Sequence, residues 1–260
     1  MSALHRFRFS RFTRILATTL AGALMLFTGL LSTGALASFR LIPIEMDMEP
    51  SGRGATQIFR VENDGKDPVA IDVKVMARGM DQDGQDVLTD AEDSFAIVPE
   101  QIILQPGENQ SIRVQWSGDP KPAKELPFRL VAEQLPIDLG GTPVQGGQVK
   151  LLVKYVASLY VVPEGAKPKL TVVSAGPKPA TAPATGTVME VVVRNDGTSR
   201  QVMRDLEVTA QVNGKTVTLR KEQLTGMVGE NVLAGVTRHF HIPWPADLPQ
   251  GPATVTLSVP

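Results

Sequence analysis

The 260-residue chain contains no cysteine, which removes disulfide scaffolds, thiolate metal sites and cysteine nucleophiles at once. Aromatic residues are scarce, at 5%, and no stretch of a dozen residues after the first 37 carries an apolar stripe of helical period, so helices are not expected there. Charge of one sign is also missing. With 26 Lys+Arg against 27 Asp+Glu, the chain has no basic excess to displace counterions from phosphates, and nucleic acid is not an expected partner. Histidine is limited to three residues, of which only His239 and His241 lie beyond the N-terminal leader. A hydrolase triad therefore has almost nothing to draw on for its base.

What charge there is divides unevenly. Residues 1–37 carry Arg6, Arg8, Arg11 and Arg14 and no acid, followed by an uncharged, mainly apolar run from Ile15 to Leu31. Ala35-Leu36-Ala37 is the small-x-small pattern of a signal-peptidase site, so residues 1–37 read as a signal peptide and the mature chain begins at Ser38. The other reading is a retained anchor, for which 17 apolar residues stand at the short limit. The leader has no Arg-Arg pair, which points to Sec export. The mature chain is acidic, with 22 basic against 27 acidic residues, and no stable membrane insertion is expected of it.

All 20 prolines lie in that mature part. Between them run short segments rich in Val and Ile, which read as strands: 56–62, 70–77, 95–98, 112–116, 128–134, 149–162, 169–174, 188–194, 205–212, 216–220, 237–242 and 254–259. Many short strands with turn signals between them predict an all-β protein of two immunoglobulin-like β-sandwiches. An internal echo supports the division. Arg60-Val-Glu-Asn-Asp-Gly65 followed by a strand at Pro68–Val75 resembles Val193-Arg-Asn-Asp-Gly197 followed by one at Gln201–Val208. Asn, Asp and Gly suit the turn each copy needs, and common turn chemistry is the competing explanation. The boundary falls best at Pro163–Pro168, giving domains 38–163 and 164–260. The Pro/Ala/Thr-rich stretch 176–186 is taken as a loop of the second domain, the alternative being a linker.

The search for chemistry is mostly empty. His239 and His241 share one strand face, with no His, Asp or Glu close by in sequence to complete a ligand set. Asp81–Asp86 looks faintly like a calcium loop, but Gly84 falls at the fourth position rather than the sixth. No phosphate-binding glycine motif or His-Glu-x-x-His occurs. No enzyme activity, cofactor or metal is expected.

One segment stands out. Val149–Val162 reads as a 14-residue strand, far beyond the usual length, with Val149, Leu151, Val153 and Tyr155 on one face and Lys150, Lys154 and Ser158 on the other. It is either the buried last strand of the first sandwich or an edge offered to another chain. Taken with the leader, Arg60-Val-Glu-Asn-Asp64, Leu104-Gln-Pro-Gly107, Ile112-Arg-Val114, Leu130–Pro136 and the strand ending at Pro163, the sequence resembles the PapD-like periplasmic pilus-assembly chaperones. The resemblance is close over 39–163 and architectural beyond.

The resemblance implies a periplasmic protein that caps pilus or fimbrial subunits by donor-strand complementation and delivers them to an outer-membrane usher. Its donor row would be Val149, Leu151, Val153 and Tyr155. Best-known members hold the subunit's C-terminal carboxylate with two basic residues, but here Asp47 and Ser158 stand at those positions. Arg129 and Lys154 are the replacement candidates, and ordinary solvated charges are the alternative. Self-association through the exposed edge is a further expectation. The competing function is an exported two-sandwich structural or adhesive protein that keeps its long strand for itself.

Overall fold

Alternation of apolar and polar residues sets the inward faces of the strands. In a computed structural model, which describes residues 39–137, 139, 151–183 and 185–259, Phe59 and Val61 on β3 (Thr56–Glu62) are buried between exposed neighbours. Ile112 and Val114 on β8 (Asn109–Trp116) follow the same period of two. The residues forecast for the leader, including Ala35–Ala37, and most of 138–150, including Val149, lie outside the described residues.

The first sandwich packs two sheets face to face. One has the order β1 (Arg40–Ile42), β3, β8, β6 (Phe95–Val98); the other runs β2 (Glu45–Met48), β10 (Lys154–Val161), β9 (Leu126–Gln134), β4 (Val69–Met80), β5 (Asp86–Asp90), with β7 (Gln101–Leu104) also on β4. The N-terminal segment crosses between them: β1 pairs antiparallel with β3, and β2 then lies parallel to Ser158–Val161 of β10. Ile71, Val73 and Val75 meet Leu130, Ala132, Leu159 and Val161 in the core. Phe95, Trp116 and Phe128 form an edge-on aromatic cluster with ring centroids 4.8–5.5 Å apart.

The second sandwich has its own core of Met189, Val191, Val193, Val208, Ala210, Phe240 and Ile242. Its sheets are β11 (Leu170–Pro179), β12 (Thr187–Asn195), β17 (Thr237–Pro243), then β15 (Lys215–Arg220), β14 (Glu207–Val212), β18 (Thr254–Ser258), with a short pair β13 (Gln201–Val202) and β16 (Asn231–Val232). The all-β, two-sandwich expectation holds.

The sequence echo is a structural repeat down to single hydrogen bonds. Asn63, 1% exposed, donates Nδ2 to the carbonyls of Asp67 and Leu104 and accepts from Gly65 N on Oδ1. Asn195 donates to the carbonyls of Ser199 and Val232 and accepts from Gly197 N. Asn195 also accepts from Lys169 N, so Asn63 satisfies three main-chain groups and Asn195 four where a strand leaves its sheet.

Two expectations are corrected. The strand read over 149–162 is shorter in the described residues: β10 begins at Lys154, with Leu151–Val153 leading into it. Its length is set by its partner, because β9 ends at Gln134 opposite Val153, whose carbonyl accepts Gln134 N at 2.9 Å. The loop expected at 176–186 is strand up to Pro179. β11 pairs only with β12, and an edge strand tolerates Pro177 and Pro179 because their missing N–H groups cost no ladder bond on the open side. Strands β1, β2, β5, β7 and β16 were not anticipated; the residues of β5 are exposed throughout and show no alternation.

Candidate functional site

Strand β10 presents two edges of different character. Its odd residues bond to β9, as the Val153 carbonyl does, so its even residues point their main-chain groups the other way. On that side Ser158 N donates to Ile44 O and Val162 N to Met48 O, which ties the C-terminal half to the β2 segment. No described strand covers Lys154–Ala157 on the same side. At the head of this open stretch Leu151 is 67% exposed, with Leu152 and Val156 also exposed.

The faces divide as the alternation requires. Ala157, Leu159 and Val161 are fully buried in the first core, while Val153 and Tyr155 are partly buried against it, and Tyr155 meets Phe39 edge-on at 5.1 Å. Of the row expected on this face, Leu151 is the exposed member, Val153 and Tyr155 grade into the core, and Val149 lies outside the described residues.

The opposite face of β10 looks into a cleft between the sandwiches. A cavity of about 290 Å³ there is lined by Glu45, Arg78, Arg129, Ser158, Tyr160, Arg204, Glu230, Asn231 and Arg238, among others. Arg129 bonds Ser158 Oγ at 2.5 Å through Nη1 and Asp86 at 2.6 Å through Nε. Arg78 holds the other Asp86 oxygen at 2.7 Å and donates to the Tyr160 hydroxyl at 2.9 Å. Burial works against the Asp86 carboxylate, but hydrogen bonds from Arg129 and Arg78 outweigh it and hold its pKa below the ordinary aspartate value. Arg204 lines the same cavity and makes no side-chain hydrogen bond or ion pair among the described residues.

Two of the sequence-derived anchor candidates are thereby separated. Arg129 sits in the cleft. Lys154, one strand face but about 13 Å further along, pairs with Glu133 at 3.4 Å on an exposed surface and does not line the cavity. Asp47, at a position where a base was sought, is itself held at 2.8 Å by Arg200 of the second sandwich. His239 and His241 both approach Glu190 at 3.3 Å, a cross-strand partner invisible to sequence spacing, and Lys178 takes the same oxygen at 2.5 Å. Among the described residues no three His, Asp or Glu are arranged to hold a metal. Asp81 Oδ1 accepts from Asp83 N and Gln85 N, which makes the acidic loop a hairpin turn.

Around the cleft the sandwiches are joined by direct bonds. Glu125 N donates to Thr198 O at 2.8 Å, and His239 N donates to Gln82 O at 2.7 Å. The Arg200 guanidinium stacks over Tyr160 at 3.6 Å and bonds Glu125 at 2.9 Å. Sequence reasoning missed Arg78, Asp86, Tyr160 and Arg204. Tyr160 alone left a signal, as a large side chain on the non-core face of the long strand.

Residues 50–167 match the family model described as "Pili and flagellar-assembly chaperone, PapD N-terminal domain". That match makes the first sandwich similar to the N-terminal domain of the PapD-like pilus-assembly chaperones. Solved structures agree in fold across both sandwiches. A chaperone–tip adhesin complex of CFA/I fimbriae biogenesis is similar at 17% identity and TM-score 0.53, covering 86% of this chain and 100% of that one. The class 5 fimbriae chaperone CfaA is similar at 17% identity and TM-score 0.53, covering 85% and 99%. The CsuC–CsuE complex of Acinetobacter baumannii archaic pili is similar at 17% identity and TM-score 0.54, covering 82% and 90%. No curated protein matches by sequence. The family match takes in β3 to β10, and with them the open edge and the cleft residues Arg78, Arg129, Ser158 and Tyr160.

Proposed function

We propose that this PapD-like chaperone caps pilus or fimbrial subunits in the periplasm by lending them the head of β10, and passes them to an outer-membrane usher. The observation that carries the reading is the half-open edge of β10, led by an exposed Leu151. A subunit strand laid along Lys154–Ala157 would pair main-chain groups that otherwise face water. Leu151 and Val153, with Val149 before them, would enter the subunit's apolar groove, each side chain contributing about 1.5–3 kcal/mol before ordering costs. We assign the subunit's terminal carboxylate to the cleft at Arg129, whose guanidinium fork suits it, with the unpaired Arg204 as second cation. Lys154, engaged with Glu133, is left out of that anchor. Binding and release of a folded chain need no bond-making step, so no catalytic residue is assigned.

The test is co-purification from the periplasm of the native source with wild type, Leu151→Asp and Arg129→Ala side by side. An exported β-rich chain should accompany the wild type and be lost with Leu151→Asp. Arg129→Ala should weaken its retention by about tenfold, the equivalent of one charge-assisted pair. Undiminished capture by both variants would refute the donor strand and the anchor together.

A further inference from the structure

Ser158 and Tyr160 stand two residues apart on the cleft face of β10, and each carries a hydroxyl whose oxygen is already taken. A guanidinium only donates. Ser158 Oγ therefore accepts from Arg129 Nη1 at 2.5 Å, and the Tyr160 oxygen accepts from Arg78 Nη1 at 2.9 Å and from Asn231 Nδ2 at 3.2 Å. Both hydroxyl protons must be donated elsewhere, and among the described residues neither has an acceptor. Tyr160 is 1% exposed, so its proton has little water to turn to, and the space beside it is the cavity.

The two arginines are held alike. Asp86 Oδ1 takes Arg78 Nε at 2.7 Å and Asp86 Oδ2 takes Arg129 Nε at 2.6 Å, so one carboxylate fixes both guanidinium groups, and each turns Nη1 onto a hydroxyl. Arg200, stacked over the Tyr160 ring at 3.6 Å, fixes the phenol in turn. Two chains of donors, carboxylate to arginine to hydroxyl, thus end on residues about 6–7 Å apart along one strand. The cavity they face is lined by four arginines and two glutamates. Its occupant must accept from both hydroxyls and donate to neither. An ionised carboxylate meets that demand, whereas a carboxamide of the same shape sets an N–H group against one of the two donors.

We propose that the hydroxyls of Ser158 and Tyr160 are the groups that touch a carboxylate in the cleft, and that Asp86 is the positioning residue that aims them through Arg129 and Arg78. The assignment rests on the reading of the cleft as the seat of a subunit's terminal carboxylate, and adds to it a selectivity for the free acid over its amide. Asp86 is where two explanations part. If the cleft drew anions by charge alone, removing this negative group would tighten binding. If Asp86 aims the donors, removing it loosens binding although the cleft becomes more positive.

The chain has two tyrosines, Tyr155 and Tyr160, which suits a spectroscopic test. The protein is labelled with tyrosine carrying carbon-13 at the ring carbon bonded to oxygen, whose signal follows hydrogen bonding at the hydroxyl, and Tyr155→Phe assigns the two signals. Acetate and acetamide are titrated at neutral pH, with chloride holding the ionic strength constant. Acetate should move the Tyr160 signal saturably and leave that of Tyr155 in place, and acetamide should move neither. Ser158→Ala should weaken the acetate response about tenfold, the loss of one charge-assisted hydrogen bond at unchanged net charge. Asp86→Asn should weaken it at least as much, with circular dichroism checking the fold of both variants. Tighter acetate binding by Asp86→Asn would overturn the positioning role, and an equal response to acetamide would overturn the selectivity. A Tyr160 signal that acetate does not move, as when its proton is spent on a turned Asn231 amide, would overturn the site. No client is needed: a Tyr160 response without any co-purifying chain leaves the site standing and removes the subunit reading, and the reverse removes the site alone.

Discussion

Replacing Arg200 by alanine should expose how strongly the two sandwiches depend on one buried carboxylate. Glu125 is 2% exposed and receives Arg200 Nη1 at 2.9 Å and Arg200 N at 3.2 Å. The same guanidinium reaches Asp47 at 2.8 Å and Glu45 at 3.6 Å, but those acids are about half exposed and contribute little. The cost therefore resides at Glu125: removing its partner leaves a buried charge uncompensated, worth about 3–5 kcal/mol. For a chain of this size that corresponds to a fall in Tm of roughly 6–20 °C. The effect has a definite pH dependence. Burial already raises the Glu125 pKa above the ordinary glutamate value, and Arg200 pulls against it. A carboxyl with a raised folded-state pKa contributes stability below its unfolded pKa, and that contribution is lost as pH rises through the folded value. Without Arg200 the raised value climbs further, so the deficit should be largest at neutral pH and shrink on acidification, as Glu125 takes up a proton. Thermal unfolding followed by circular dichroism at several pH values measures this. The Glu125→Gln background, which has no charge to strand, should lose less on Arg200→Ala. A fall in Tm under about 2 °C at neutral pH, or a deficit that does not diminish on acidification, would refute the reasoning.

The other predictions concern single positions. Asn63→Ala orphans three main-chain groups and Asn195→Ala four, and each should cost about 3 kcal/mol or more by urea unfolding, with the loss at Asn195 at least as large as that at Asn63. Gly197→Ala should destabilise by more than about 2 kcal/mol, because the new Cβ would stand 2.4 Å from Lys167 O and Lys169 N, main-chain atoms that cannot swing aside; a neutral result in the same assay would contradict that packing.

Much of the architecture was readable because it rests on local rules. Period-two patterning located Thr56–Glu62 and Phe95–Val98 to the residue, and Asn-Asp-Gly marked the equivalent strand ends. β5 was illegible because both its faces meet water and no alternation was written into Asp86–Asp90. The start of β10 was illegible for another reason: β10 begins where β9 ends, and a strand's length belongs to the pair.

At the candidate site, sequence alone determined the apolar row led by Leu151, the likeness to a chaperone family, and Arg129 as a base worth testing. It could not separate Arg129 from Lys154, since both are single basic residues on strands. Only the tertiary structure gives them different surroundings, by closing a cleft over the face of β10 that holds Ser158 and Tyr160 and leaving Lys154 outside it. The same holds for Arg78, Asp86 and Arg204, and for Glu190 between the two histidines. These groups lie tens of residues apart in the chain. Hydrogen bonds and ion pairs act over a few ångströms, and chain folding, which no local periodicity encodes, is what brings such partners within that range.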